Sequence, residues 1–161
     1  MEDDIKPLQR GKELAPLSRE HHEGLLFVWK LRQGLQNGTE AVRLKKYIVW
    51  YWQNHIKPHF FQEEKILLPM LPEDNNLAIR LKNEHENIRE LILNLDVEAD
   101  KNSIALLADL VYDHIRFEER KVFTYLEQSL SKEQLNNIFL QLEVNPIVCN
   151  SEWEDQFWIN K

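Results

Sequence analysis

The size, composition and charge of the chain exclude several classes of protein. Its 161 residues include only 4 glycines and 6 prolines, and 43% are hydrophobic, which predicts one globular domain over 1–161 rather than a disordered chain. The formal net charge of -7 disfavours a broad basic surface, so we expect neither nucleic acid nor a membrane as a partner.

Start and stop signals predict two long helices in the first half of the chain. The first opens at Pro16 and Ser18 and runs to about 36, before the turn signal Asn37-Gly38. The second covers about 39–68 and contains a proline. Because proline cannot donate to the preceding turn, we expect a kink at Pro58, directly before His59.

The second half of the chain predicts two more long helices and a shorter one. The third helix is expected over about 76–95 and the fourth over about 103–128, with the polar stretch 96–102 between them. Ser131 and Gln134 form a capping box for a fifth helix that ends near 142. An aromatic tail follows, containing Trp153, Phe157 and Trp158. These elements predict an all-α fold, an up-down four-helix bundle over about 14–130 followed by a C-terminal helix and tail over 131–161.

The N-terminus and the cysteine content favour a cytoplasmic location. The first seven residues lack the basic and apolar regions of a signal peptide, and no apolar run is as long as a membrane span. Cys149 is the single cysteine, so no internal disulfide can form, which is typical of a reducing compartment, although an unpaired thiol in a secreted protein would also fit.

Two segments share the pattern of a histidine followed four residues later by two glutamates. They are His59-Phe-Phe-Gln-Glu63-Glu64 and His114-Ile-Arg-Phe-Glu118-Glu119. Positions i and i+4 lie on one face of a helix, so an imidazole and a carboxylate there can bind one cation. One pair is a weak signal, but two pairs in one bundle predict a metal site.

Each of the four long helices has a line of apolar residues at heptad-like spacing that includes a histidine. These histidines are His21, His59, His85 and His114, and the second and fourth lines also include Glu63 and Glu118. A carboxylate in a protein core costs several kcal/mol unless it is paired or protonated. No lysine or arginine lies on the four lines, so cations among the histidines are expected to neutralise the carboxylates.

These motifs resemble those of the hemerythrin-like, or HHE cation-binding, domains. Four segments match in the family's order, at 17–22, 59–69, 83–89 and 114–123, so that the resemblance covers about 14–130. It implies a non-haem centre of two iron ions, with an oxo or hydroxo bridge, in which Glu63 and Glu118 are the bridging carboxylates. The ligands implied are His21, His59, Glu63, His85, His114 and Glu118. Other divalent metals would also suit these ligands.

Four residues close in sequence to the predicted ligands have alternative interpretations. His21 and His22 are adjacent, and the apolar line of the first helix favours His21 as the ligand and His22 as a surface residue. His55 precedes His59 by four residues, and the Pro58 kink favours for His55 a structural role or a contact with a metal-ligating residue. The second glutamate of each motif, Glu64 or Glu119, is expected to be a half-exposed helix residue.

The third helix departs from the pattern of the oxygen-carrying hemerythrins, which present two histidines one turn apart there. The neighbours of His85 at that spacing are Leu81 and Arg89, so six ligands remain. This set resembles that of family members linked to iron sensing and to nitrosative or oxidative stress. Both irons would then have an open or water-filled position.

Three functions follow from these observations. The first is a di-iron protein that binds or senses O2, NO, peroxide or iron. The second is a di-iron enzyme acting on peroxide or nitric oxide, with no catalytic residue assigned and with Tyr47, Tyr51, Tyr112 and Tyr125 as candidate nearby donors. The third is a metal-stabilised module whose aromatic tail docks on a protein partner, although such a tail more often packs on its own bundle.

Overall fold

The first bundle helix begins and ends close to the predicted positions. The computed structural model describes residues 10–95, 99–149 and 151–160, and its first helix, α1, spans Ala15–Gln36. Gly38 follows with a φ of 74°, in the left-handed region that glycine adopts without strain. The predicted turn at Asn37-Gly38 is therefore present.

The second bundle helix is continuous over residues 41–70 but is not α-helical throughout. It consists of α2 (Ala41–Tyr51), a π turn (Trp52–Ile56), α3 (Lys57–Gln62), a second π turn (Glu63–Leu67) and a 3-10 turn (Leu68–Met70). In the first π turn, the backbone N–H of Lys57 bonds to the carbonyl of Trp52, five residues earlier. The helix thus departs from α geometry directly before Pro58, where a regular turn would lack a donor.

The third and fourth bundle helices begin at side-chain caps. Helix α4 (Asn76–Asn94) follows Asn75, and α5 (Lys101–Phe117) follows Asp100, whose side chain accepts a hydrogen bond from the backbone N–H of Ser103 at 2.7 Å. A third π turn (Glu118–Val122) and α6 (Phe123–Ser129) complete the fourth helix. Because Asp100 caps α5, this helix starts two residues before the predicted position, and residues 101–102 of the predicted linker are helical. Residues 96–98 of that linker lie outside the described residues.

The short C-terminal helix has the predicted capping box. Helix α7 spans Lys132–Val144, the Ser131 hydroxyl accepts from the backbone N–H of Gln134 at 3.1 Å, and the Gln134 side chain accepts from Ser131 at 2.9 Å. The Gln62 side chain donates to the carbonyl of Asn145 at 2.7 Å, which holds the end of α7 against the second bundle helix.

Two apolar layers show how the four bundle helices alternate. The first layer includes Phe27, Leu31, Ile48, Ile92 and Leu107, and the second includes Leu14, Leu17, Leu67, Leu81 and Val122. Along the chain, the first and third bundle helices run from the second layer to the first, and the other two run in the opposite direction. The fold is therefore the predicted all-α up-down bundle.

The aromatic tail packs against the first apolar layer. Phe157 is 4% exposed, and its ring centroid lies 5.1 Å from that of Tyr47. The side-chain amide of Asn37 donates to the carbonyls of Phe157 and Trp158, at 3.3 and 3.2 Å. In the part of the chain that the structure describes, no helix combines the length and apolar character that a membrane span requires.

Candidate metal centre

A layer of polar side chains lies between the two apolar layers. The four histidines of the predicted lines are between 1% and 7% exposed, and Glu63 and Glu118 are fully buried. They come from all four bundle helices: His21 from α1, His59 from α3, His85 from α4 and His114 from α5, with each glutamate as the first residue of a π turn. The fold thus brings together all six residues that the sequence predicted.

The ligand atoms of these residues form two overlapping groups. One group contains His21, His59, Glu63 and Glu118, and the other contains Glu63, His85, His114 and Glu118. Within each group the atoms lie within 4.8 Å of one another. Each group thus has two imidazoles of its own, while both carboxylates belong to both groups, so the side chains could hold two cations side by side.

Glu63 presents one carboxylate oxygen to each group. Its Oε2 is 3.3 Å from Nε2 of His59, and its Oε1 is 3.1 Å from Nε2 of His85. On the other carboxylate, Oε1 of Glu118 lies 3.6 Å from Nε2 of His21 and also contacts Nε2 of His114. The two oxygens of Glu63 are thus divided between the two groups, an arrangement that would suit a carboxylate shared by two cations.

The two segments in which a histidine is followed by two glutamates, 59–64 and 114–119, share a local backbone conformation as well as a sequence pattern. The carbonyl of Glu63 accepts from the backbone N–H of Leu68, and that of Glu118 accepts from Phe123, in each case five residues later. A π turn therefore starts at each buried glutamate. Such turns are rare in helices and are frequently found at functional sites.

Three of the four histidines are held from outside by a carboxylate. Nδ1 of His21 lies 2.6 Å from Glu119, Nδ1 of His85 lies 2.9 Å from Glu64, and Nδ1 of His114 lies 2.8 Å from Glu84. Because an ionised carboxylate only accepts, Nδ1 carries the proton, and Nε2 of each ring faces the centre. This carboxylate–histidine arrangement is the one that orients metal ligands in proteins.

The outer carboxylates are in turn each paired with an arginine. Arg89 donates to Glu64 at 3.1 Å and Arg80 donates to Glu84 at 2.6 Å. Glu119 lies 3.6 Å from Nε of Arg10 and accepts from the Ser18 hydroxyl at 2.8 Å. These arginines hold the outer carboxylates in place.

Sequence reasoning missed the outer carboxylates. Glu64 and Glu119 are partly exposed, as expected, but each also bonds an imidazole of another bundle helix. A signal for these two was present, because each directly follows a buried glutamate in a repeated motif and a one-residue step turns it toward the adjacent helix. Glu84 had no comparable signal beyond its position beside His85.

Several buried polar atoms of the centre have no hydrogen-bond partner among the described residues. They are Nε2 of His21, both ring nitrogens of His59, Oε2 of Glu63, Nε2 of His114 and both carboxylate oxygens of Glu118. Unpaired polar atoms in a core are uncommon and cost free energy. Cations among these atoms would satisfy them, so the donor set fits a metal site.

The charges of the centre shift the pKa values of its groups in opposite directions. Burial and the charge of Glu118 raise the pKa of Glu63, but His59 and His21 lower it by more, so that the pKa of Glu63 is about 2. Burial lowers the pKa of His85, whereas hydrogen bonds to the surrounding carboxylates raise it, to about 11. In the metal-free protein, the Glu63 carboxylate and the protonated His85 ring therefore neutralise each other.

A small cavity lies beside His21 and His59. Its volume is about 30 Å³, and its wall includes Gly24, Tyr51 and His55. An added Cβ at Gly24 would lie 2.7 Å from Cδ1 of Ile115, so glycine allows α1 to approach α5 closely here. His55 thus lies near the centre but in neither group of ligand atoms, and His22 is exposed on the outside of α1.

The helical bundle and its buried histidine–carboxylate layer define a protein suited to binding metal. Comparison with protein families agrees, because residues 12–126 match the Hemerythrin HHE cation binding domain. The chain therefore belongs to the hemerythrin HHE cation-binding family, as its motifs predicted. Neither the curated proteins nor the solved structures included a match to the chain.

Proposed function

We propose that this protein binds two iron ions and uses them to bind or sense a small ligand, either O2, NO or peroxide, or to sense iron itself. The proposed ligands are His21, His59 and Glu118 for one ion and His85, His114 and Glu118 for the other, with Glu63 shared between them. The observation that carries the proposal is that both buried carboxylates belong to both groups of ligand atoms. When bound, iron would supply Lewis acidity and redox chemistry.

The low number of protein ligands supports the binding of an external molecule. Each group offers two imidazoles and the two shared carboxylates, which is fewer than the six positions that iron commonly fills. The cavity beside His21 and His59 is large enough for a molecule of two or three atoms, since a water needs about 10–15 Å³. Its wall is mostly apolar, which suits an uncharged diatomic molecule.

Metal analysis tests the first half of the proposal. The purified protein, reconstituted with Fe(II) without air, should hold two irons per chain. Glu63→Gln and Glu118→Gln should each lower this number, because each removes a charge shared by both groups. Glu90→Gln is the matched control, since Glu90 is exposed on α4. A full complement of iron in both centre variants would contradict the assignment.

Gas binding tests the second half. Admission of O2 or NO to the anaerobic Fe(II) protein should produce a ligand-to-metal charge-transfer band in the visible spectrum, and removal of the gas should reverse it. If the protein holds two irons but neither gas produces a band, the protein is a metal-binding protein without the proposed ligand function.

A second candidate is an enzyme that acts on peroxide or nitric oxide at the same centre. The observation in its favour is that Tyr51, one of the four tyrosines considered as donors, lines the cavity beside His21 and His59. Turnover of peroxide or NO well above that of free iron, and its loss in Tyr51→Phe, would support the enzyme. Stoichiometric binding without turnover would favour the binding protein.

A further inference from the structure

His55 is fixed in the wall of the cavity without being part of the metal site. Its ring stacks on Tyr51, with centroids 4.7 Å apart, and meets Trp50 edge-on at 5.6 Å. These contacts leave the imidazole little freedom to rotate. Because it lies in the π turn Trp52–Ile56, it also departs from the regular helical spacing that would place it over His59.

The ring of His55 has an unused polar atom. Its Nδ1 is buried and has no hydrogen-bond partner in the described part of the chain. The carboxylate of Glu20 is 3.9 Å away, which is too far for a hydrogen bond. His55 therefore has a buried ring nitrogen without a hydrogen-bond partner, in the wall of a cavity that can hold one.

The rest of the cavity wall makes this ring nitrogen distinctive. Apart from the candidate ligands, the polar residues of the wall are Glu20, Tyr51 and His55. The remaining wall is formed by Gly24 and by apolar side chains such as Ile56, Phe60 and Val111. A molecule in this cavity would meet metal ligands on one part of its surface and few hydrogen-bond donors elsewhere.

We infer that His55 is a positioning residue that donates a hydrogen bond to the small molecule in this cavity. The inference rests on the proposed function, and it adds a preference among ligands. A molecule of two or three atoms that has a lone pair on its outer atom, such as NO or azide, accepts this bond while its inner atom lies toward His21 and His59. A ligand without an outer acceptor gains nothing from His55.

Azide and NO are the probes for the test, used with the full-length, iron-loaded protein. His55→Phe keeps a ring that can stack on Tyr51 but removes the donor. We expect this variant to keep two irons, to bind azide about ten-fold more weakly, and to raise the N–O stretching frequency of bound NO. His55→Gln, which retains an N–H donor, should recover part of both effects. His22→Phe is the control, because His22 is exposed.

The outcomes separate this inference from the proposed function. If the original protein binds azide and NO, and His55→Phe matches it in both azide affinity and N–O frequency, the positioning role is wrong and ligand binding stands. If the iron-loaded protein binds neither probe, the positioning role is wrong, and the proposed function then depends on whether O2 binds. If His55→Phe loses iron, His55→Leu, which also lacks the donor, decides: equal iron content with weaker azide binding than the original protein supports the role, and unchanged binding and frequency overturn it.

Discussion

Glu84 of α4 accepts a hydrogen bond from Nδ1 of His114 of α5 at 2.8 Å, so the orientation of one candidate ligand is set by a neighbouring helix. Arg80, one turn before Glu84, donates to the same carboxylate at 2.6 Å. The Nε2 atom of His114 consequently faces Glu118 at the centre. The helices thus position the ligands as well as enclose them.

Loss of this outer carboxylate should weaken metal binding without removing a ligand. Glu84→Gln should lower metal affinity about 10–100-fold, because the neutral amide fixes the His114 ring less firmly and makes its Nε2 less basic. Competition with a chromogenic chelator measures the effect. Glu90→Gln, on the exposed face of the same helix, should bind as the original protein does. Equal affinities in the two variants would show that Glu84 has no such role.

Metal binding should release protons. The pKa of His85 is about 11 because burial, which lowers it, is outweighed by hydrogen bonds to the surrounding carboxylates, so at neutral pH this ring is protonated in the metal-free protein. A ligating imidazole must lose that proton, so the apparent metal affinity should fall as the pH is lowered. Calorimetric titration in buffers with different ionisation enthalpies measures the protons released. A heat that is independent of the buffer would contradict the proposed exchange.

The metal-free protein should be most stable in mildly acidic solution. His85, with its pKa raised from 6.5 to about 11, contributes stability that is complete below about pH 6.5 and is lost as the pH rises toward 11. Glu63, with its pKa lowered from 4.5 to about 2, contributes stability that is present above about pH 4.5 and is lost as the pH falls toward 2. The melting temperature of the metal-free protein should therefore peak between these limits.

Metal should change this pH dependence. A cation replaces the proton on His85, so the melting temperature of the metal-loaded protein should not fall as the pH rises above 6.5. In that pH range it should be higher than the melting temperature of the metal-free protein. Thermal denaturation of both forms across the pH range is the measurement. Equal melting temperatures at pH 8 would count against an interior metal site.

The fold and the six central residues could be predicted because burial makes both visible in the sequence. Apolar residues at heptad-like spacing mark each helix, and a glutamate on such a line, as at 63 or 118, is costly unless something pairs with it. The capping box at Ser131 likewise depends on residues three apart, which explains why the start of α7 was predicted correctly. The role of the six central residues as metal ligands stays a prediction.

The parts that the sequence did not predict depend on relations between helices or on hydrogen-bond register. In the π turns at Glu63 and Glu118, a backbone N–H bonds to the carbonyl five residues earlier instead of four. The residue types in a helix specify this change of hydrogen-bond register only weakly. The bond from Glu84 to His114 requires the relative rotation of two helices. The cavity depends on how closely Gly24 lets α1 approach α5, which spacing within one helix does not determine.

The aromatic tail should stabilise the bundle rather than bind a partner. Phe157 is 4% exposed and contacts Tyr47, and an added Cβ at Gly34 would lie 2.7 Å from its ring, so the tail fills a close-fitting site on α1. Phe157→Ala should lower the free energy of unfolding by about 3 kcal/mol, whereas Ile159→Ala, at a position that is 47% exposed, should change it little. Urea denaturation of the metal-loaded variants measures both. Equal stabilities, together with loss of a partner from Phe157→Ala in pull-down experiments, would instead favour a docking role.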